Sequence, residues 1–242
     1  MLFESREQHK ASVEHLEKMY KNELGMPKNI TEHSRYDQME LSLQNTRKFH
    51  EIMNLDFYTK KVPHQALMDI GFISGGVGLI MGLPVIYLMG SDVQIKRWGP
   101  DLSKGKIIAA YAQTELGHGS DVQSLQTTAT FDPKENCFIV NTPSVDAYKW
   151  WPGELGNGAN HVVVYAQVIT KGRSVGVLPL FLQVRDMNTH QLLPGVEAGD
   201  IGPKMGYSWK DNGFMAFNNF KVPADALLGK YVNIDKNGKF ST

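Results

Sequence analysis

HVVVYAQVIT, residues His161–Thr170, decides how the second half of this chain is read. It is rich in β-branched and aromatic residues, and VLPLFLQVR, Val177–Arg185, follows it across Lys171-Gly172-Arg173-Ser174. Two such runs joined by a short polar connection with a glycine read as a strand pair. Upstream, Thr127–Phe131 and Cys137–Asn141 form another pair, with Asp132-Pro133-Lys134-Glu135-Asn136 as the hairpin loop. Downstream, FMAFNNFKV, Phe214–Val222, alternates apolar and polar residues as a single final strand would. The stretch between, Asp186–Gly213, is long, irregular and rich in glycine. Loops of that length in compact domains tend to be functional or interfacial.

Toward the N-terminus the period changes from two to that of a helix. Glu14–Glu23 carries Leu16, Met19 and Tyr20 at helical spacing and stops at Gly25-Met26-Pro27. A second helix is expected from Tyr36 to about Met53, and Pro63 opens a further segment. Ser91-Asp92 caps a short helix, Val93–Trp98, that is expected to end at Gly99-Pro100. Helices first and strands after, with the change near Ala109, predict an α+β chain. The expected division is a helical N-terminal domain over 1–109 and an antiparallel, barrel-like β domain over 110–242. Strands and helices do not alternate, and no GxGxxG follows a strand, so this is not a Rossmann order.

Composition narrows the function. The 242 residues are 42% hydrophobic and 21% charged, with 25 basic and 25 acidic side chains. That balance gives no pull toward nucleic acid or anionic lipid, and no basic groove is evident. The lone cysteine, Cys137, excludes an intrachain disulfide and reads as a buried structural thiol among Phe138, Ile139 and Val140. From Ile70 to Ser91 no residue is charged, but the glycines and Pro84 favour a packed helix-turn-helix over a membrane span. No secretory, transit or SKL-type peroxisomal address is readable. No HExxH, paired Cys/His spacing, P-loop or GxSxG is present.

Three glycine-rich segments mix polar and bulky apolar residues: YAQTELGHGSD (Tyr111–Asp121), KWWPGELG (Lys149–Gly156) and GDIGPKMG (Gly199–Gly206). Glycines in such loops let backbone N–H groups approach a ligand. Their ordinary alternative is that the glycines form turns and the adjacent tryptophans sit in a core.

YAQTELGHGSD followed by KWWPGELG resembles the paired segments of the acyl-CoA oxidases. The resemblance extends through GSDVQIKRWGP, TTATFDP, THQLLPGVEAGDIGPKMGY, DNGFMAFNNFKVP and ADALLGKY, from about Gly90 to Lys239. Ser120-Asp121 is closer to the related dehydrogenases. The resemblance implies a helical domain, a central β-barrel domain and C-terminal helical bundles, the last expected to be absent from this chain. It implies FAD, and oxidation of a fatty acyl-CoA to a trans-2-enoyl-CoA with electrons passing to oxygen. By motif position Thr114 and Gly153 would contact the flavin, Gln113 and Trp151 would be its neighbours, and Gly119 and Ser120 would lie toward the acyl-CoA. An isoalloxazine needs apolar faces and a few donors at its edge, which these residues supply.

The family's catalytic base is a glutamate of the helical region, so the resemblance assigns no catalytic residue here, and Glu115 reads as structural. Glu154 stands where the family usually has glycine, either facing the flavin or pointing to solvent. Two readings follow. One is the N-terminal part of an acyl-CoA oxidase, completed by a homo-oligomer or by a separate chain supplying the helical half. The other is a non-catalytic, oxidase-derived subunit of a larger assembly. The family places the protein in peroxisomes, with mitochondria the alternative.

Overall fold

The computed structural model describes residues 14, 34–41, 44, 81–205 and 210–242. The helices expected around Glu14–Glu23 and Tyr36–Met53 lie largely outside these residues, as does the segment opened by Pro63. Residues 35–41 are helical. Arg35 of that turn forms an ion pair with Asp200 at 2.8 Å.

Two helices follow, α1 (Leu83–Met89) and α2 (Asp92–Ser103). Pro84 sits in the first turn of α1, where its missing N–H costs nothing. Among the described residues no helix is long and apolar enough to cross a membrane. α2 opens with a full capping box: the Ser91 hydroxyl accepts the Gln94 N–H and the Gln94 side chain accepts the Ser91 N–H. It does not stop at Gly99-Pro100 as the sequence suggested. Trp98 and Leu102, one turn apart, are both buried, and the Ser103 hydroxyl donates to the Gly99 carbonyl at 2.6 Å. A Cβ on Gly99 would lie 2.8 Å from the Tyr87 hydroxyl, so this glycine serves close packing against α1 rather than termination.

Among the described residues eleven strands follow, with short 3-10 turns between some of them: β1 (Ala109–Ala112), β2 (Thr128–Asp132), β3 (Cys137–Asn141), β4 (Lys149–Gly153), β5 (His161–Thr170), β6 (Arg173–Gln183), β7 (Val196–Asp200), β8 (Asn212–Phe217), β9 (Phe220–Pro223), β10 (Asn233–Ile234) and β11 (Phe240–Ser241). β5 is the spine of the large sheet, ordered β1-β5-β2-β3-β9 with β6 also on β5. Its first half pairs with β1 and its second half with β2, both in parallel, while β6 runs antiparallel along its length. The sheet is therefore mixed, which corrects the antiparallel expectation. Val162, Val164, Ala166 and Val168 face one core, whereas Val163 belongs to another with Leu83, Ile86, Trp98 and Phe181. A strand buried on both faces needs a near-continuous apolar run, and HVVVYAQVIT is one.

The expected strand Phe214–Val222 is two. Asn218-Asn219 turns the chain, with Asn219 at φ +48°, so that β8 joins β4 and β7 in a three-stranded sheet while β9 joins β3. Asparagine tolerates the left-handed region, which is why this pair can turn the chain. The irregular stretch Asp186–Gly213 contains β7. Cys137 is buried, as expected, and burial followed by the nearby Glu135 and Asp132 pushes its thiol pKa up.

Candidate functional site

The two motifs, Tyr111–Asp121 and Lys149–Gly156, lie side by side. Leu116 N–H donates to the Tyr148 carbonyl at 2.8 Å, and Trp150 N–H to the Thr114 carbonyl at 3.1 Å. These two bonds frame an antiparallel bridge between Glu115 and Lys149. On its other edge β4 pairs with β8, which pairs with β7. Segment one is thus joined to segment two, and the start of segment three lies on the same small sheet.

Trp150 and Trp151 part company on this sheet. Trp150 stacks on Phe214 with ring centres 5.9 Å apart. The β4–β8 register then shifts between Trp150 and Gly153, and Trp151 sits in the bulge at φ +84°, with its side chain 55% exposed. A bulge re-aims a side chain, and a bulky residue at positive φ is strained by about 1–3 kcal/mol. Asn212 Nδ2 holds the Trp151 carbonyl at 2.8 Å. Thr114 is exposed and Gly153 is buried. Gln113 is half-buried and accepts the Tyr111 hydroxyl at 2.5 Å. Tyr111 in turn lies 5.4 Å from the Tyr165 ring, and burial raises the Tyr165 pKa well above its usual value. Gly119 and Ser120 are exposed, just past a tight reversal closed by the Glu115 and His118 backbones.

Beneath this ledge runs a buried polar network. Glu115 is 2% exposed. Its carboxylate accepts the Gln126 N–H (2.7 Å), the Thr127 N–H (2.9 Å), the Thr127 hydroxyl (2.6 Å) and Lys149 Nζ (3.1 Å). His118 Nδ1 lies 3.2 Å from its other side. Burial works to raise the Glu115 pKa, but Lys149 and the bonds from Gln126 and Thr127 outweigh it, and the net shift is downward. Lys149 is fully buried; burial lowers its pKa to about 8 while Glu115 opposes the shift. Glu115 therefore reads as structural on geometry as well as on motif.

Glu154 differs from both of its expected placements. It is fully buried at φ +64° and its carboxylate pairs with Lys210. Gly156 does not present its backbone to a ligand. A Cβ on Gly213 would fall 2.2 Å from the Gly156 nitrogen, so these two glycines let β8 and the turn after β4 touch. Among the described residues no cluster of three His, Cys, Asp or Glu could hold a metal. Sequence reading had no role for Lys149 or Lys210. The one available signal was a lysine set inside an aromatic strand, and its partner could not be placed without the fold.

An exposed indole on a strand bridged to the segment that carries an exposed threonine is of the chemical kind an isoalloxazine needs, a stacking surface with edge donors. Residues 110–220 match the family model described as acyl-CoA dehydrogenase, middle domain. Peroxisomal acyl-coenzyme A oxidase 1 of Cavia porcellus is 41% identical over 165 residues, covering 68% of this chain and 25% of the relative. The chain thus spans about a quarter of that relative's length. An acyl-CoA oxidase structure from Lycopersicon esculentum (tomato) superposes with a TM-score of 0.89 at 33% identity, covering 98% of this chain and 37% of that one. Acyl-CoA oxidase-1 of Caenorhabditis elegans, solved in complex with FAD and ATP, gives 0.84 at 32% identity, covering 97% and 36%. Fold, motif order and relatives agree: the chain belongs to the acyl-CoA oxidase family, its residues 110–220 matching the acyl-CoA dehydrogenase middle domain.

Proposed function

We propose that this chain supplies the flavin-facing wall of an FAD-dependent acyl-CoA oxidase. The observation that carries the proposal is the bridge at Glu115 and Lys149, which sets exposed Thr114 next to the strand bearing exposed, bulged Trp151. In this reading Trp151 offers the stacking face, Thr114 the hydroxyl and N–H, Gly153 a close backbone approach, and Gln113 a polar neighbour tied to Tyr111. Gly119 and Ser120, on the adjoining exposed loop, face the fatty acyl-CoA.

Bound FAD would take up the electrons released as the acyl-CoA becomes a trans-2-enoyl-CoA. The proton leaving the substrate needs a base beside it. Glu115 is a poor candidate, since it is buried and its carboxylate is held ionised by four hydrogen bonds. The base is assigned instead to the helical region of the family, carried by the same protein or by a partner chain. The helical domain over 1–109 and the β domain over 110–242 are proposed as the units of this chain. Relatives named as peroxisomal support that compartment.

The test is a flavin absorbance spectrum of the natively purified protein, followed by titration with FAD. A flavin band, and weaker binding in Trp151→Ala by about tenfold, are expected from loss of one aromatic stacking partner. A colourless protein that does not quench FAD fluorescence would leave the structural-subunit reading in its place. With palmitoyl-CoA, the isolated chain is expected to yield no hydrogen peroxide.

A further inference from the structure

A lysine ammonium has three N–H bonds to satisfy. Buried Lys149 places its three on Glu115 Oε1 (3.1 Å), the Tyr165 carbonyl (2.7 Å) and the Gln113 carbonyl (3.1 Å). One nitrogen thereby joins β4 to the middle of β5, to the exit of β1 and to the residue after Thr114. Such a pair is a weak source of stability, because apolar residues of similar volume would avoid the desolvation cost. What an apolar pair cannot supply is direction.

Direction matters at Gln113. In a planar trans peptide the carbonyl of one residue and the N–H of the next point to opposite sides. No cis peptide occurs among the described residues. With the Gln113 carbonyl held on a fully buried ammonium, the Thr114 N–H is turned away from the interior, on a residue that is exposed beside the Trp151 strand. The same ammonium sits at the start of β4 and so fixes where that strand leaves its bridge with Glu115 before the bulge.

We infer that Lys149, clamped by Glu115, is a positioning residue of the flavin wall: it aims the Thr114 N–H outward and sets Trp151 in register with it, for the polar edge and face of a flavin ring. This rests on the flavin reading above, but its geometric half can be judged without FAD. The charged and titratable groups facing Lys149 are Glu115 directly and His118 through the far side of the Glu115 carboxylate. Tyr165 contributes only its carbonyl, and Thr127 does not titrate in this range.

The test uses the full chain and the charge-neutral double variant Glu115→Gln/Lys149→Met, each studied by amide hydrogen exchange without ligand and by FAD titration. In a folded double variant, exchange at Glu115, Leu116 and Trp150, whose N–H groups are bonded in the native chain, is expected to be at least tenfold faster, with β5 and β6 unchanged, and FAD binding at least tenfold weaker. Unaltered exchange at those segments in a folded variant would overturn the inference. If the double variant does not fold, the native chain decides. Exchange at Glu115 and Leu116, corrected for its intrinsic pH dependence, should accelerate as Lys149 loses its proton near pH 8. A flat profile rejects the role. Native chain that binds no FAD sinks the flavin reading alone, and the exchange data still judge the placement of Thr114.

Discussion

Removing one member of a buried ion pair costs more than removing both. Lys149→Met alone strands the Glu115 carboxylate at 2% exposure and is expected to lower stability by about 3–5 kcal/mol. Adding Glu115→Gln should recover part of that loss, which urea midpoints would reveal. His161 makes a different prediction at the same scale. It is buried, stacks on Phe181 with ring centres 5.2 Å apart, and burial lowers its pKa from 6.5 to about 4. The unfolded chain therefore binds more protons between those values, and stability falls as pH drops through that window, by about 3 kcal/mol in all. His161→Gln should flatten this limb of a stability–pH curve. The Glu115 contribution has the same sign but lies lower, present above the ordinary carboxyl value of 4.5 and lost as pH falls below it. None of these pairings was readable in the sequence. Lys149 and Glu115 are 34 positions apart, and only the turn of the chain between them makes them neighbours.

Strand β4 shows how an element can trade stability for a surface. Trp151→Gly should relieve the positive φ and stabilise the chain by about 1 kcal/mol, because the indole is 55% exposed and loses little buried area. The same change should weaken FAD binding, so thermal midpoint and affinity are expected to move in opposite directions. On α2 the side chain of Gln94 makes four bonds, accepting the Ser91 and Gly229 N–H groups and donating to the Asp225 and Leu227 carbonyls. Gln94→Leu leaves those groups short of partners and should cost about 2–4 kcal/mol, read by chemical denaturation. The Ser91 cap was legible, because a serine before a helical run with glutamine three residues on is a local signal. Where α2 ends was not, since burial of Trp98 and Leu102 overrides the stop that Gly99-Pro100 suggests. Asn218-Asn219 was a missed local signal: two asparagines between alternating runs can turn a chain as readily as they can continue it.

At the scale of the whole molecule, the apolar runs located β2, β3, β5, β6 and the joined stretch of β8 and β9, but not β1, β4 or β7, nor which edges the strands share. HVVVYAQVIT was legible as a strand, but its burial on both faces emerged only with the fold. That β1 and β2 both run parallel to it, one after the other on the same side, depends on connections that leave no trace in a single sequence. The candidate site was legible in a similar measure. Motif resemblance named Thr114, Trp151 and Gly153, and the fold brought their segments together. It could not show that Glu154 is buried against Lys210, because those residues are 56 positions apart.

The bonds from Gln94 to Asp225, Leu227 and Gly229 span 131, 133 and 135 positions. On the ribosome this glutamine emerges long before the backbone groups that will surround it. At roughly 5–20 residues per second the wait is on the order of ten seconds. During that interval the Gln94 side chain holds only its local bond from Ser91, its other three partners still missing, and the helix pair must rely on that cap and its apolar face. The strands are therefore expected to close before the helices lock. A nascent chain halted short of Gly229 should show exposed α1–α2 surface to chaperones and proteases, whereas one extended past it should not.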